Sequence, residues 1–191
     1  MAATGFFEQD ELLELGFASI GNDVKIDRTA IFYGSSRIQL GSHVRIDAYS
    51  VISAGQGGIS IGSYIHLAAY TFMAGAARIE MHDFSGLSSR CSIYSSSDDY
   101  MGNALTNPTV PDEYRNVQNG PVILKKHVII GAGSVILPGV SMEEGSAAGA
   151  LSVISKDVPA YTIVAGQPAK PIAERKKNLL KIEAEFLNSK A

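Results

Sequence analysis

Four histidines (His43, His66, His82 and His127) and one pair of adjacent carboxylates, Asp98-Asp99, are the side chains best suited to moving protons in this sequence. A zinc centre needs several histidines converging on one ion. These four are scattered, with no close pair, so no metal site is expected. Asp98-Asp99 opens a stretch that also carries Tyr100, Tyr114 and Arg115, side chains able to hold a polar acceptor. The single cysteine, Cys91, cannot form an internal disulfide. It falls in a slot otherwise filled by small residues, which reads as core rather than nucleophile.

The framework that must position these groups repeats every six residues. Ile20, Ile26 and Phe32 are followed by Leu40, Ile46 and Ile52, by Ile61, Leu67 and Met73, and by Met81, Leu87 and Ile93. A longer series then runs Leu124, Ile130, Ile136, Met142, Ala148 and Ile154. The residue four places on is small or β-branched throughout, from Val24 through Ser50, Thr71, Cys91 and Ser134 to Ser152, with Gln56 the exception. A helix of 3.6 residues per turn cannot sustain a period of six. A chain wound round a triangular prism can, with one hexad per face and parallel strands stacked at sheet spacing. Six coils are expected. Gly21, Gly41, Gly62, Gly131 and Gly149 each follow the aliphatic, where the backbone must bend. Extra residues precede Leu40, Ile61, Met81 and Leu124, and should form a ridge along one edge of the prism.

The hexads stop between Asp98 and Pro121. A loop this long inside a compact repeat is commonly functional. The ends differ from the middle. Phe6 to Leu15 reads as a short amphipathic helix stopped by Gly16, and Ile172 to Leu187 as a second one. One domain is expected: a helical cap over 1–19, a prism over 20–172 with its loop at 98–121, and a C-terminal helix over 173–191.

Composition narrows the partners. The chain has 191 residues, 46% of them hydrophobic and 18% charged, with a net charge of −3. That suits one folded core and lacks the basic stripe of a nucleic-acid binder. No stretch approaches the ~18 apolar residues of a membrane span. The N-terminus lacks a signal-peptide pattern, and a lone cysteine suits a reducing compartment, so a cytoplasmic location is expected.

The hexads resemble those of the hexapeptide-repeat acyltransferases. The strongest stretch is Ile130-Gly131-Ala132-Gly133-Ser134-Val135-Ile136-Leu137-Pro138-Gly139-Val140, followed by Ala165-Gly166-Gln167-Pro168-Ala169-Lys170-Pro171-Ile172. The resemblance covers about residues 20–172. It is nearest the galactoside, maltose and xenobiotic acetyltransferases and the O-acetyltransferases of bacterial surface polysaccharide. It implies an all-β, left-handed parallel β-helix and a homotrimer with acetyl-CoA in the groove between neighbouring prisms. It further implies that the long loop reaches toward the acceptor. The positions matching the family's CoA site are Ala132, Gly149, Ala150, Ser155, Lys156 and Lys170. Small residues there suit a pantetheine arm, and Lys156, Lys170 and Arg175 suit its phosphates.

The activity this implies is acetyl transfer from acetyl-CoA to a sugar hydroxyl, in O-antigen or capsule assembly. That reaction needs a general base. In the galactoside branch the base is a histidine just before the loop. Here that stretch, Ser95-Ser96-Ser97-Asp98-Asp99-Tyr100-Met101-Gly102, contains none. His127 opens the first coil after the loop and is the leading histidine. Asp98 and Asp99 could act as base, bind the acceptor, or merely cap a turn. Tyr100, Tyr114, Arg115 and His82 are candidate acceptor ligands. An amine acceptor would need no strong base, so N-acetylation of a nucleotide-linked amino sugar is the alternative. Zinc carbonic anhydrases share such a prism, but their histidines must converge. A non-catalytic scaffold or ice-binding surface would need regular threonine rows, and the threonines here are scattered.

Overall fold

A computed structural model describes residues 5–190. Residues 1–4 of the expected cap and residue 191 of the expected C-terminal segment lie outside the described residues. The chain forms a parallel β-solenoid of about seven turns, one more than the stepped aliphatics suggested. The seventh is the partial turn Thr162–Gly166, whose Val164 stacks beside Ala148. Pro159, Ala160 and Tyr161 break the six-residue step before it, so the count of hexads missed it.

Three sheets make the three faces. The first runs from Ser19–Ile20 through Ile38–Leu40, Ile59–Ile61 and Ile79–Met81 to Val122–Leu124 and Ser141–Met142. Its register sets Ile20 beside Leu40, Leu40 beside Ile61, and Ile61 beside Met81. The second face stacks Ile26, Ile46, Leu67, Leu87, Ile130 and Ala148 in the same way. The third carries Ile52, Met73, Ile93, Ile136 and Ile154. These are the stepped residues, and most are completely buried. The large aliphatic points inward because alternation along a strand allows only one of two neighbours to reach the core.

The small slot recurs before each face, and its most uniformly polar set precedes the third. Ser50, Thr71, Cys91, Ser134 and Ser152 are all buried there. Several hydroxyls satisfy corner carbonyls: Thr71 Oγ1 donates to Ala68 O at 2.7 Å, and Ser152 Oγ to Gly149 O at 2.7 Å. Cys91 Sγ lies 3.2 Å from Gly131 O, and burial pushes its thiol up, away from the reactive thiolate.

The glycines after the aliphatics differ from expectation. Gly21, Gly41, Gly62, Gly131 and Gly149 do not adopt a positive φ. At most of them a side chain is excluded by the next coil: a Cβ on Gly41 would lie 2.6 Å from the Gly62 carbonyl carbon. Close coil stacking selects these glycines, and bending does not.

Both ends are altered by the need to pair free strand edges. Phe6 bridges Asp27, and Phe7 N–H donates to Ile26 O at 2.9 Å, so the first helix, α1, is only Gln9–Glu14. Its Leu12 is buried, and Arg28 grips Glu11 with Nη1 at 2.7 Å from Oε1. At the other end the expected helix from Ile172 is displaced. Ala169–Glu174 is an antiparallel strand against Thr162–Gly166, and α2 spans Asn178–Asn188. The last turn needs a partner for its free edge, and the segment through Glu174 supplies it before the helix can begin.

The long loop has a built neck. Ser96–Ser97 pairs antiparallel with Gln118–Asn119, and a 3₁₀ turn covers Asp112–Tyr114. Loop and ridge both leave the corner between the third and first faces. There exposed Arg37 lies along the edge, its Nε donating to Gly55 O at 2.8 Å.

Candidate active site

The corner between the second and third faces carries one column of outward side chains in the left-handed conformation: Tyr49, Tyr70, Arg90, Gly133 and Leu151, with φ between 57° and 72°. The column flanks a groove of about 490 Å³ lined by Tyr70, Ser89, Arg90, Ala132, Ala150 and Leu151. Small residues open it. Ala132 and Ala150 are exposed, and Gly149 lies just behind, where an added Cβ would sit 3.1 Å from Ala165 Cβ. A second hollow of about 330 Å³, lined by His66, Ser88 and Ile129, adjoins it through Ser89. His66 Nε2 lies 2.7 Å from Asp47 Oδ2, and Arg45 Nε donates to Asp47 Oδ1 at 2.6 Å. Burial raises the Asp47 carboxyl, but these two contacts outweigh it and hold it below the usual carboxylate range.

The structure thus brings Ala132, Gly149 and Ala150 together. Lys170 is at the same end, since it pairs with Ala165. Ser155 and Lys156 are exposed just beyond the last strand of the third face, Val153–Ile154. Asp98, Asp99, Tyr100, Tyr114 and Arg115 all belong to the loop. Within one chain the loop and the groove leave different corners of the prism.

The two aspartates are unlike. Asp99 is buried, and its carboxylate accepts N–H bonds from Met101 at 2.8 Å, Asn103 at 2.7 Å and Ala104 at 2.9 Å. It is an internal cap for the loop. Asp98 is half-buried at the neck, with one long contact from Asn107 N–H at 3.2 Å. Arg115 pairs with Asp112, and Tyr100 and Tyr114 are exposed.

His127 is not beside this groove. It occupies the corner between the first and second faces, in another left-handed column with His43, Tyr64 and Phe84. Their rings stack in order, at 4.6, 4.7 and 5.3 Å between centroids. Helix α2 covers that ladder. Phe186 packs edge-on against Tyr64, and Glu183 takes His127 Nε2 at 2.8 Å and Lys126 Nζ at 2.5 Å. Arg175 Nη1 adds a bond to His127 O at 2.7 Å. The expectation that His127 flanks a thioester is therefore corrected: it is a docking point for α2. His82 is also at this side, bonded to Glu80 Oε1 at 3.0 Å on the first face, and not on the loop.

Burial raises the Glu183 carboxyl, but the Lys126 and His127 contacts outweigh that and keep it below the usual range. A carboxyl lowered by folding stabilises the fold above its unfolded pKa and loses that contribution as pH falls through the folded one. Glu183→Gln is thus expected to destabilise α2 docking at neutral pH by about 1–2 kcal/mol. Its difference from wild type should shrink as pH drops into the acid carboxylate range. Thermal unfolding of both proteins across that range checks this; a difference that is flat with pH contradicts it.

Sequence inspection overlooked Tyr70, Ser89 and Arg90. A signal was present. Each lining residue of the left-handed column stands just before the small inward slot, as in Tyr49-Ser50, Tyr70-Thr71 and Arg90-Cys91. Glycine fits that slot most easily, so bulky residues there point to another requirement.

Stacked parallel coils with a groove along one corner define a hexapeptide-repeat β-solenoid. No family model matches the chain. It is 49% identical, over 95% of its length and 94% of the relative's, to the dTDP-4-amino-4,6-dideoxy-D-glucose acyltransferase of Escherichia coli. AntD, an N-acyltransferase from Bacillus cereus, was solved as a serine variant with dTDP-4-amino-4,6-dideoxyglucose and coenzyme A. It matches with a TM-score of 0.93 and 44% identity, over 97% of this chain and 98% of that one. The chain belongs to the hexapeptide-repeat acyltransferase family. A maltose O-acetyltransferase from Clostridium difficile shares the fold, at a TM-score of 0.57 and 19% identity over 88% of this chain and 75% of that one.

These relatives overturn the expectation of a sugar-hydroxyl acceptor. The near full-length relatives are named for an amino sugar or for N-acyl transfer, while the O-acetyltransferase is a match in fold alone. The sequence carries a matching sign: Ser95 to Gly102 lacks the histidine that the galactoside branch uses as its base, and an amine does not need a strong base.

Proposed function

We propose that this protein transfers an acyl group from acyl-CoA to the amino group of a dTDP-linked 4-amino-4,6-dideoxy sugar. The observation that carries the reading is the 49% identity, across nearly both whole chains, to an acyltransferase named for that substrate. Acetyl-CoA is the proposed donor. AntD has been solved with dTDP and 3-hydroxybutyryl-CoA, so longer acyl chains belong in the same test.

The groove suits the donor. Ala132, Gly149 and Ala150 leave room for a narrow pantetheine arm and expose backbone to its amides. Lys170, Lys156 and Ser155 supply cations and a hydroxyl for its phosphates at the C-terminal end. A neutral amine attacks the thioester carbonyl, the C–N bond forms and the C–S bond breaks. The nitrogen gives up one proton, which the departing thiolate, of ordinary thiol pKa about 8.5, is basic enough to take. In this reading Asp98 orients the amine, and Tyr100, Tyr114 and Arg115 meet the sugar nucleotide. Because the loop and groove leave different corners, each site is completed by a neighbouring copy in a homotrimer. Exposed Tyr100 and Met101, 90% and 82% accessible, are what such a copy would cover. The N-acylated sugar nucleotide would feed surface-polysaccharide assembly in the cytoplasm.

Purified protein should release CoA thiol when given acetyl-CoA and dTDP-4-amino-4,6-dideoxyglucose, with an acetamido sugar as product by mass spectrometry. Thiol release with hydroxyl sugars only, or with no acceptor of either kind, contradicts the reading.

A further inference from the structure

Two aromatic ladders run down this prism, and they differ in what covers them. The first, at the corner of His43, Tyr64, Phe84 and His127, is roofed by α2. The second is bare: Tyr49 and Tyr70 stack at 5.2 Å and remain 56% and 52% accessible. Arg90 continues this second ladder, with its guanidinium carbon 5.8 Å from the Tyr70 ring centroid. All three residues hold a positive φ, between 58° and 63°. For side chains of this size that conformation costs about 1–3 kcal/mol each. The left-handed turn recurs coil after coil at both corners, so it is the bulky side chains there that need a reason: at the first corner α2 packs on them, and at the second Tyr49 and Tyr70 stay exposed.

Arg90 also stands apart from the other arginines in the described residues. Six arginines are tied to carboxylates or carbonyls: Arg28 to Glu11, Arg37 to Gly55 O, Arg45 to Asp47, Arg78 to Glu80, Arg115 to Asp112 and Arg175 to His127 O. Among the described residues, the Arg90 guanidinium alone makes no hydrogen bond. It lines the groove together with Ala132 and Ala150, on the side nearer the early coils.

We propose that Arg90 and the Tyr49–Tyr70 ladder form the subsite for the nucleoside diphosphate of the acceptor. Arg90 takes the diphosphate in its planar fork, and the tyrosines give the nucleoside an apolar wall edged with hydroxyls. The direction follows from the groove. The late-coil end is lined by the small residues Ala132 and Ala150 and suits pantetheine, so the sugar extends the other way, from the thioester toward Arg90 and Tyr70. This rests on the acyl-transfer reading above for the choice of nucleotide. A diphosphate also occurs in CoA, so the test must separate the two.

Arg90→Ala and Arg90→Lys should be compared with wild type by calorimetry with dTDP and, separately, with CoA. KM should also be measured for the sugar nucleotide and for acyl-CoA. Arg90→Ala should weaken dTDP and raise the sugar-nucleotide KM about tenfold or more. CoA affinity should stay within about twofold, with Arg90→Lys in between, since a charge without the fork keeps only part of the contact. Unchanged dTDP affinity overturns the proposal. So does a loss confined to CoA, and so does a change of oligomeric mass in Arg90→Ala by sedimentation, which would mean that a second copy covers the ladder. Wild type that binds dTDP through Arg90 but acylates no amino sugar overturns the acyl-transfer reading and leaves the subsite standing. Wild type that acylates an amine without binding dTDP does the reverse.

Discussion

Asp98→Asn is expected to lower kcat/KM about a hundredfold while the protein stays folded. A positioned carboxylate typically contributes that much or more to proton handling and orientation, and a hundredfold corresponds to about 2.7 kcal/mol of barrier. The structure separates this residue from its neighbour. Asp98 makes one long contact, to Asn107 N–H at 3.2 Å, and keeps acceptor capacity for a ligand. Asp99 is saturated by Met101, Asn103 and Ala104. Asp99→Ala should therefore also lose activity, but by releasing the loop. Three N–H groups lose a charged acceptor, so limited proteolysis should cut between 98 and 120 in Asp99→Ala and not in Asp98→Asn. Steady-state kinetics with the amino-sugar nucleotide checks the first claim. Full activity in Asp98→Asn would remove that carboxylate from the mechanism.

Gly131→Ala is expected to be strongly destabilising. Its Cβ would lie 2.4 Å from Ala150 N and 2.7 Å from Gly149 C. Those atoms are backbone of the next coil and cannot rotate away, so the coils must part or shear. Overpacking of this kind costs about 3 kcal/mol, or roughly 6–12 °C in Tm for a chain of this size. Activity should fall with it, because the displaced segment is the floor of the groove. Gly86→Ala is the control. It sits in the same sheet, yet its Cβ would meet only His66 O, at 3.4 Å. A change within about 0.5 kcal/mol is expected there. Equal melting temperatures for the two variants would show that coil spacing adjusts freely and that glycine is not demanded by stacking.

Those two glycines illustrate how far the sequence could be read. Gly131 stands in the recurring position after the stepped aliphatic, so its importance was legible, although for the wrong reason. Bending was inferred from glycine's freedom, whereas the structure shows an ordinary φ and a contact too close for a Cβ. The stepped aliphatics, the small slot with Cys91 in it and the special status of residues 98–121 were legible because a solenoid contacts only its own neighbouring coil. Periodicity in sequence therefore becomes adjacency in space. Ala132 and Ala150 were named by the family resemblance and not by the period.

The acceptor chemistry was half legible. The absence of a histidine from Ser95 to Gly102 argued for an amine, but spacing alone did not weigh more than a family habit. His127 shows the opposite failure. It is a histidine at a corner just past the loop, and nothing in its local sequence reveals that α2, some fifty residues later, sets Glu183 against it and Phe186 against the neighbouring Phe84. Arg90 was invisible for a related reason. Its significance lies in lacking the partner that every other arginine has, and partners are set by where chains meet.

By itself, then, the sequence determined the prism, its inward column and the place where the pattern is broken, since each depends on residues at a fixed short step. The tertiary structure alone decided which corner α2 would roof, which aromatic ladder would stay open, and which of two adjacent aspartates would be consumed by its own loop. Those outcomes depend on contacts between segments far apart in the chain, and no local period encodes them.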